Sequence, residues 1–404
     1  MKLTLSVTIG ILSYVVAQAN FPVALNSTFE TFGARNVRVD TGTYGPLVEE
    51  YHYFYDQWPI GLAVSKSGRV FTCYTRGTYA YTLGEVVNET AEVAYPNLEL
   101  NTPPQGLFTV SNGIMFGSND ESHFISVQAL YVTPDDTLWV LDTGRPTITQ
   151  EQKISTPYAA PGGPKLVAID LTTNSIRKTY TLPPTVHYPD SYMNDLRFDL
   201  RSNVTQSGGG IAYIVDSSNE GRTGFIMIDL ATGESWRQLN QHPSTQVIAE
   251  VVPSYNGIPF YLRQHGYPLG FQEEGLDGAE LDQYGDDPLA NKNAFDNVKS
   301  LGQRGGNANG FTGDSLGNVY MLMPEHNAIF IYNYTARLTA PYIRDPRIVW
   351  PDSANVGWDG YLYITINQLP YQPNWNNGVD RRVYPGLILR SKLPDGASKN
   401  TLLM

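Results

Sequence analysis

Short apolar runs, a few residues long and broken by Gly, Asn, Asp and Pro, recur from Trp58 to Leu393, while the three-to-four-residue spacing of a helix is scarce. This pattern predicts an all-β protein. One unit keeps returning: an apolar strand, a tight Asp/Ser/Gly/Asn turn, then a second strand that carries an aromatic residue. It occupies Gly61 to Tyr74 around Lys66-Ser67-Gly68, Val127 to Asp142 around Pro134-Asp135-Asp136, and Leu196 to Asp216 across a Gly-rich excursion. It returns at Phe311 to Met323 around Asp314 to Asn318, and at Asn355 to Asn367 around Trp358-Asp359-Gly360. Each reads as a hairpin. A second hairpin often follows, as at Lys165 to Leu182 and Gly224 to Leu239, so a unit has four strands. The aromatics Phe71, Trp139, Tyr213, Tyr320 and Tyr363 lie 68, 74, 107 and 43 residues apart, and the interval of 107 holds two average steps. A degenerate sixth unit is therefore assigned to Glu250 to Asp282. Four-stranded sheets repeated radially form a β-propeller, an arrangement that leaves few exposed sheet edges. The expectation is one six-bladed propeller domain over residues 20–404, with four-stranded blades around a central channel.

Composition fits a packed body. Of 404 residues, 41% are hydrophobic and 16% charged, which is enough apolar material for a core and too little charge for disorder. Acidic residues outnumber Lys and Arg by 39 to 27, for a net charge of −12, so no electrostatic footprint exists for a nucleic-acid backbone or an anionic membrane. Residues 1–19 read as a signal peptide: Lys2 is the positive start, Leu5 to Val16 the apolar stretch, and Ala17-Gln18-Ala19 the small-x-small cleavage site. The expected product is secreted and extracellular, and sequons at Asn26, Asn88, Asn203 and Asn333 fit a glycosylated surface. Cys73 is the only cysteine, so no intrachain disulfide forms and stability must come from packing. Cys73 itself reads as a buried strand residue.

In a propeller blade the start of the innermost strand and the end of its neighbour emerge on one face. The starts are rich in amides and carboxylates: Trp58 beside Gln57, Gln128, Asn194 with Asp195, Asp277, Asn309, and Asp352 with Asn355. The ends include Arg76, Asp142, Arg145, Asp216, His326 and Asn367. A channel mouth lined by such groups, with Trp58, Tyr192, Phe271, Tyr371 and Trp375 near enough to wall it, suits a small polar or aromatic ligand. The competing reading is that Asn and Asp at strand starts bond backbone N–H groups and fix turns.

Four stretches carry a family likeness. They are Asp56-Gln57-Trp58-Pro59-Ile60-Gly61-Leu62-Ala63-Val64-Ser65, Leu138-Trp139-Val140-Leu141-Asp142-Thr143-Gly144, Tyr192-Met193-Asn194-Asp195-Leu196 leading to Ala212-Tyr213-Ile214-Val215-Asp216-Ser217, and Asp345-Pro346-Arg347-Ile348-Val349-Trp350-Pro351-Asp352. Together they resemble the major royal jelly/Yellow protein family. The resemblance implies a secreted six-bladed propeller whose members include dopachrome-conversion isomerases of melanin formation, binders of biogenic amines, and food or structural proteins. The single cysteine and the Gly-, Asp- and Asn-rich stretch Glu250 to Arg304 depart from insect members and point to a microbial, fungal-type relative acting on a pigment or secondary metabolite.

An isomerisation of that kind moves a proton from a carbon next to a carbonyl or iminium, so it needs a base and a donor for the developing oxyanion. Asp195 or His326 is the candidate base, Arg145 or Asn309 the candidate donor. No cofactor is expected on this reading. The strand start Asn194-Asp195 also resembles six-bladed lactonases, in which calcium polarises a lactone carbonyl; Asn194, Asp195, Asp277, Asn309 and Asp352 would then be the oxygen shell. A third reading is extracellular binding without turnover. The partner in each case is a small molecule; oligomeric state is left open. Other motifs are set aside. Gly313-Asp314-Ser315-Leu316-Gly317 is followed by a strand rather than the helix of a nucleophile elbow, the six histidines never take zinc-ligand spacing, and Gly305 to Gly310 opens no helix.

Overall fold

The computed structural model describes residues 25–32, 35–77, 79–150, 153–218, 220–246, 252–259, 262–264, 267–269, 288–302, 304–376 and 378–400. Four-stranded antiparallel sheets repeat along the chain. The first blade is Gly61–Val64, Val70–Cys73, Leu83–Asn88 and Ala91–Ala94; the second is Val127–Val132, Thr137–Asp142, Lys165–Asp170 and Ser175–Thr181. The third comprises Met193–Asp199, Ile211–Asp216, Gly224–Asp229 and Ser235–Gln238, and the fourth Phe311–Gly313, Asn318–Met323, Ala328–Asn333 and Leu338–Arg344, a sheet extended to six strands by Arg35–Tyr44 and Leu25–Phe32. The fifth takes Pro351–Val356, Tyr361–Ile366 and Gly386–Lys392 from the end of the chain and its outer strand, Val48–Phe54, from near the beginning.

The all-β propeller with four-stranded blades is as the hairpin pattern predicts, but the blade count is corrected from six to five among the described residues. The described residues of the assigned sixth unit, Glu250 to Asp282, form two two-stranded ladders, Ser254–Tyr255 with Ile258–Pro259 and Leu262–Gln264 with Tyr267–Leu269; residues 250–251, 260–261, 265–266 and 270–282 lie outside the described residues. Gly, Pro, Asp and Glu interrupt the apolar positions of this stretch, so its sequence has no continuous apolar run like those of the middle strands in the five blades. The helix Pro288–Asn297 packs Ala294 and Phe295 against Ile211, Phe225, Met227 and Trp236 of the third blade.

Blades pack face to face through apolar clusters, and this explains why their middle strands are buried along their whole length, as at Thr137–Asp142 and Gly224–Asp229. The outer strand Ser175–Thr181 is mostly exposed. The first strands of blades one and two, two and three, four and five, and five and one touch one another around the axis. Strand Val48–Phe54 closes the ring by pairing with Gly386–Lys392. His52 on that strand is fully buried, its Nδ1 2.9 Å from the Asn88 carbonyl and its Nε2 3.0 Å from Glu92 Oε2, which ties the fifth blade to the first. No helix among the described residues is long and apolar enough to cross a membrane.

Candidate functional site

All five first strands, or the residue before them, bring their starting ends to one mouth. Ile60 from the first blade, Gln128 and Ala129 from the second, Asn194, Asp195 and Arg197 from the third, Asn309, Gly310 and Phe311 from the fourth, and Asp352, Ser353 and Ala354 from the fifth line a cavity that opens to solvent. Gathering occurs here because each first strand begins at the axis and polar side chains at its start have no apolar neighbour blade to face. Gly61 is required at the mouth: a Cβ there would lie 2.6 Å from Cys73 Sγ and 3.3 Å from the Gln128 carbonyl.

Polar contacts stitch the blades into a ring around this cavity. The Cys73 thiol donates to the Gln128 carbonyl at 3.3 Å, joining blades one and two. Gln128 Nε2 donates to Asn194 Oδ1 at 2.9 Å, and Tyr192 Oη donates to Gln128 Oε1 at 2.7 Å. Arg197 donates to the Phe311 carbonyl and so spans from the third blade to the fourth. Asn309 Nδ2 donates to Asp352 Oδ1 at 2.8 Å and to the Pro351 carbonyl at 3.1 Å. The Val64 N–H donates to Asn355 Oδ1 at 3.4 Å, returning from the fifth blade to the first.

Electrostatics distinguish the two carboxylates on the wall. Asp195 Oδ1 accepts from the Leu196 N–H at 2.8 Å and pairs with Arg197 Nη1 at 2.9 Å. Asp352 has no cationic partner among the described residues. It is half-buried on the cavity wall, and the protein packed around it pushes its carboxyl up to about 7, against the hydrogen bonds from Asn309 and Trp350. A carboxyl in that range exchanges its proton near neutral pH. The oxygen of the same amide, Asn309 Oδ1, is buried with no hydrogen-bond partner among the described residues. Cys73, behind the wall, is fully buried; burial first, then Asp352 and Asp195, pushes its thiol upward, so it is packing and not a nucleophile.

The structure brings together Gln128, Asn194, Asp195, Asn309 and Asp352 of the residues expected at the site. Three others stand elsewhere than on the cavity wall. Trp58 is 4% exposed and stacks on Tyr384 with ring centroids 4.6 Å apart. Arg145 is buried, bonds the carbonyls of Pro157 and Asp190 at 2.8 and 2.7 Å, and pairs with Glu220 at 2.8 Å. His326 is exposed, its Nε2 2.9 Å from the Gly305 carbonyl and its ring stacked on Phe330. Asp277 and Phe271 lie outside the described residues, as do the expected signal peptide at 1–19 and the side chain of Asn26. At two strand ends the turn-fixing reading holds: Asp142 accepts from the N–H groups of Ile125, Ser126 and Gly144, and Asp216 from Tyr192 and Ser218. Sequence reasoning missed Arg197 and Phe311. Their signal was the strand period, since Asp195 and Arg197 are two apart and share a face.

The described donors do not fit a calcium shell. Arg197 occupies the same wall as the four remaining oxygen donors, Asp195 is already paired with it, and Asn194 and Asp352 each accept from a neighbouring amide. Among the described residues no three His, Cys, Asp or Glu side chains converge.

Comparison with known proteins adds a family. Residues 125–258 match the model of the major royal jelly protein family. The matched stretch covers the second and third blades, and with them Gln128, Asn194, Asp195 and Arg197; it bears out the likeness read from Tyr192 to Ser217. No curated protein matches the chain. Among solved structures, a luciferin-regenerating enzyme is similar with TM-score 0.43 and 11% identity over 88% of this chain and 97% of its own. A streptogramin B lyase gives TM-score 0.41 and 12% identity over 87% and 98%. A gluconolactonase from Xanthomonas campestris gives 0.31 and 11% over 82% and 71%.

Proposed function

We propose that this royal-jelly-type propeller is an exported protein that binds a small aromatic or quinonoid metabolite at the channel mouth and isomerises it by moving one proton. The observation that carries the reading is Asp352, a carboxyl held near neutrality on the wall of a cavity fed by every described blade. Asp352 takes the proton from the carbon beside the ligand's carbonyl, the double bonds shift, and the same carboxyl returns the proton to another position, so nothing is oxidised or reduced. Arg197, fixed by Asp195, is the cation that steadies the developing oxyanion, and Phe311 is the apolar wall for the ring. These roles replace the pairing of His326 or Asp195 as base with Arg145 or Asn309 as donor, because Asp195 is the partner of Arg197 and Asn309 is the partner of Asp352.

The test is incubation of the purified chain with dopachrome and a panel of related quinones, following absorbance and ligand-induced thermal shift. Turnover that Asp352→Asn abolishes while binding persists is the expected result. Absence of both binding and turnover across the panel sinks the proposal; binding alone leaves the non-catalytic carrier as the correct reading.

A further inference from the structure

A second cation lies beneath the cavity, and nothing in the chemistry above uses it. After the fifth blade, the chain crosses the turn of the fourth: Ser315 N–H donates to the Ser398 carbonyl at 2.9 Å, and the backbone of Lys399 forms an antiparallel β-bridge with that of Asp314. This turns Lys399 toward the axis. Its Nζ donates to Asn355 Oδ1 at 3.2 Å and to the Val356 carbonyl at 3.5 Å, and stands 4.7 Å from the Tyr131 ring centroid. Lys399 is 3% exposed, and no carboxylate among the described residues pairs with it. These two neutral oxygens accept from it but leave its charge unmatched.

Arg197 links that ammonium to the cavity. Its guanidinium stands 5.9 Å from the same Tyr131 centroid and also lines the cavity wall. Tyr131 is two residues beyond Ala129, and Val356 two beyond Ala354, both on the wall. At the rise of a strand this sets Lys399 roughly 7 Å below the floor. Asp195 matches the charge of Arg197, so the charge of Lys399 is the surplus.

We propose that the cavity floor is an anion seat, in which the carboxylate of a small ligand docks on Arg197 and the Lys399 ammonium beneath supplies the matching charge. This rests on the reading that the cavity binds a small ligand and not on turnover. The groups that face Lys399 are Asn355 and Val356 of the fifth blade, Tyr131 of the second and Arg197 of the third; Asp352 faces the cavity above, with Asn309 and Cys73 around it. Burial, then the charge of Arg197, pulls the ammonium down to about 7. A carboxylate on the floor favours the charged amine, so binding takes up a proton. Ionised Asp352 repels the same carboxylate, so affinity falls as pH rises through neutrality.

Titration calorimetry of the full chain with benzoate and with its uncharged isostere benzamide, at pH 6 and pH 8 in two buffers of different ionisation enthalpy, tests the seat. Benzoate should bind at least roughly tenfold more tightly at pH 6 than at pH 8 with net proton uptake, while benzamide shows no pH dependence. Lys399→Met should weaken benzoate roughly tenfold and remove most of the uptake, and Lys399→Arg should restore affinity. Equal binding of benzoate and benzamide in the wild-type protein, a comparison that needs no variant, overturns the proposal, as does unchanged benzoate binding in a folded Lys399→Met. Chloride that displaces benzoate at equal concentration would assign the floor to an inorganic ion and overturn the organic one. Quinone conversion is not read here, so failure of the isomerase reading and failure of the seat register in separate assays.

Discussion

Replacing Asp352 with Asn separates the catalytic demand on this side chain from its structural cost. In the folded chain the carboxyl is pushed up to about 7 from an ordinary 3.8. Between those values the folded state holds a proton that the unfolded chain has released, so stability falls as pH rises from about 4 and the loss is complete above about 7. Three pH units of displacement correspond to about 4 kcal/mol, an order-of-magnitude figure for a group only partly exposed to the cavity. Asn is nearly isosteric with the protonated acid, its Oδ1 still accepts from Asn309 Nδ2, and it cannot ionise. Asp352→Asn should therefore match wild type within about 1 kcal/mol near pH 4 and exceed it by about 2–4 kcal/mol near pH 8, while losing turnover. Equilibrium denaturation in guanidinium at both pH values reads the difference. A variant destabilised equally at the two pH values would refute the claim that burial of a charge dominates at this position, and with it the assignment of Asp352 as a neutral-range base.

Other outcomes follow from the same packing. Arg237→Ala should cost about 3–5 kcal/mol, because it strands the fully buried Asp216 now held at 2.7 Å, whereas Arg177→Ala, whose pairs with Asp135 and Asp170 are largely exposed, should cost under about 1 kcal/mol in the same denaturation assay. Trp58→Ala should lose about 3–5 kcal/mol through the cavity beneath Tyr384 and leave ligand affinity nearly unchanged, since Trp58 is not on the wall. Gly61→Ala should cost about 1–3 kcal/mol, and Cys73→Ala in the same chain should recover part of it by vacating the space 2.6 Å from the new methyl. A chelator should leave the thermal midpoint and ligand affinity unmoved; a fall in either would reinstate calcium. In a eukaryotic host Asn88→Gln should remove a glycan seen by mobility shift, whereas Asn333→Gln should not, because the Asn333 amide already donates to Asn318 at 2.9 Å.

The hairpin period made the blades legible because a strand sandwiched between sheets must be apolar on both faces, and a turn at its end must be Asp, Asn or Gly. That constraint is local, so the five units with clear hairpins were readable at Gly61, Val127, Leu196, Phe311 and Asn355. Counting units by dividing an interval is not local: between Tyr213 and Tyr320 the described residues hold the outer strands of the third blade, two short ladders, the helix Pro288–Asn297 and the first strand of the fourth blade, with no further four-stranded sheet among them. The site followed the same division. Strand starts were visible as Gln128, Asn194, Asp195, Asn309 and Asp352, since polarity at the head of an apolar run has few causes. Arg197 was hidden because an arginine within a strand ordinarily reads as solvent-facing, and only closure of the ring shows that the face it shares with Asp195 is the axis. Lys399 was hidden more deeply: its neighbours Tyr131, Arg197 and Asn355 come from three blades, and no sequence separation predicts that a lysine this far along the chain is brought among them without a carboxylate partner.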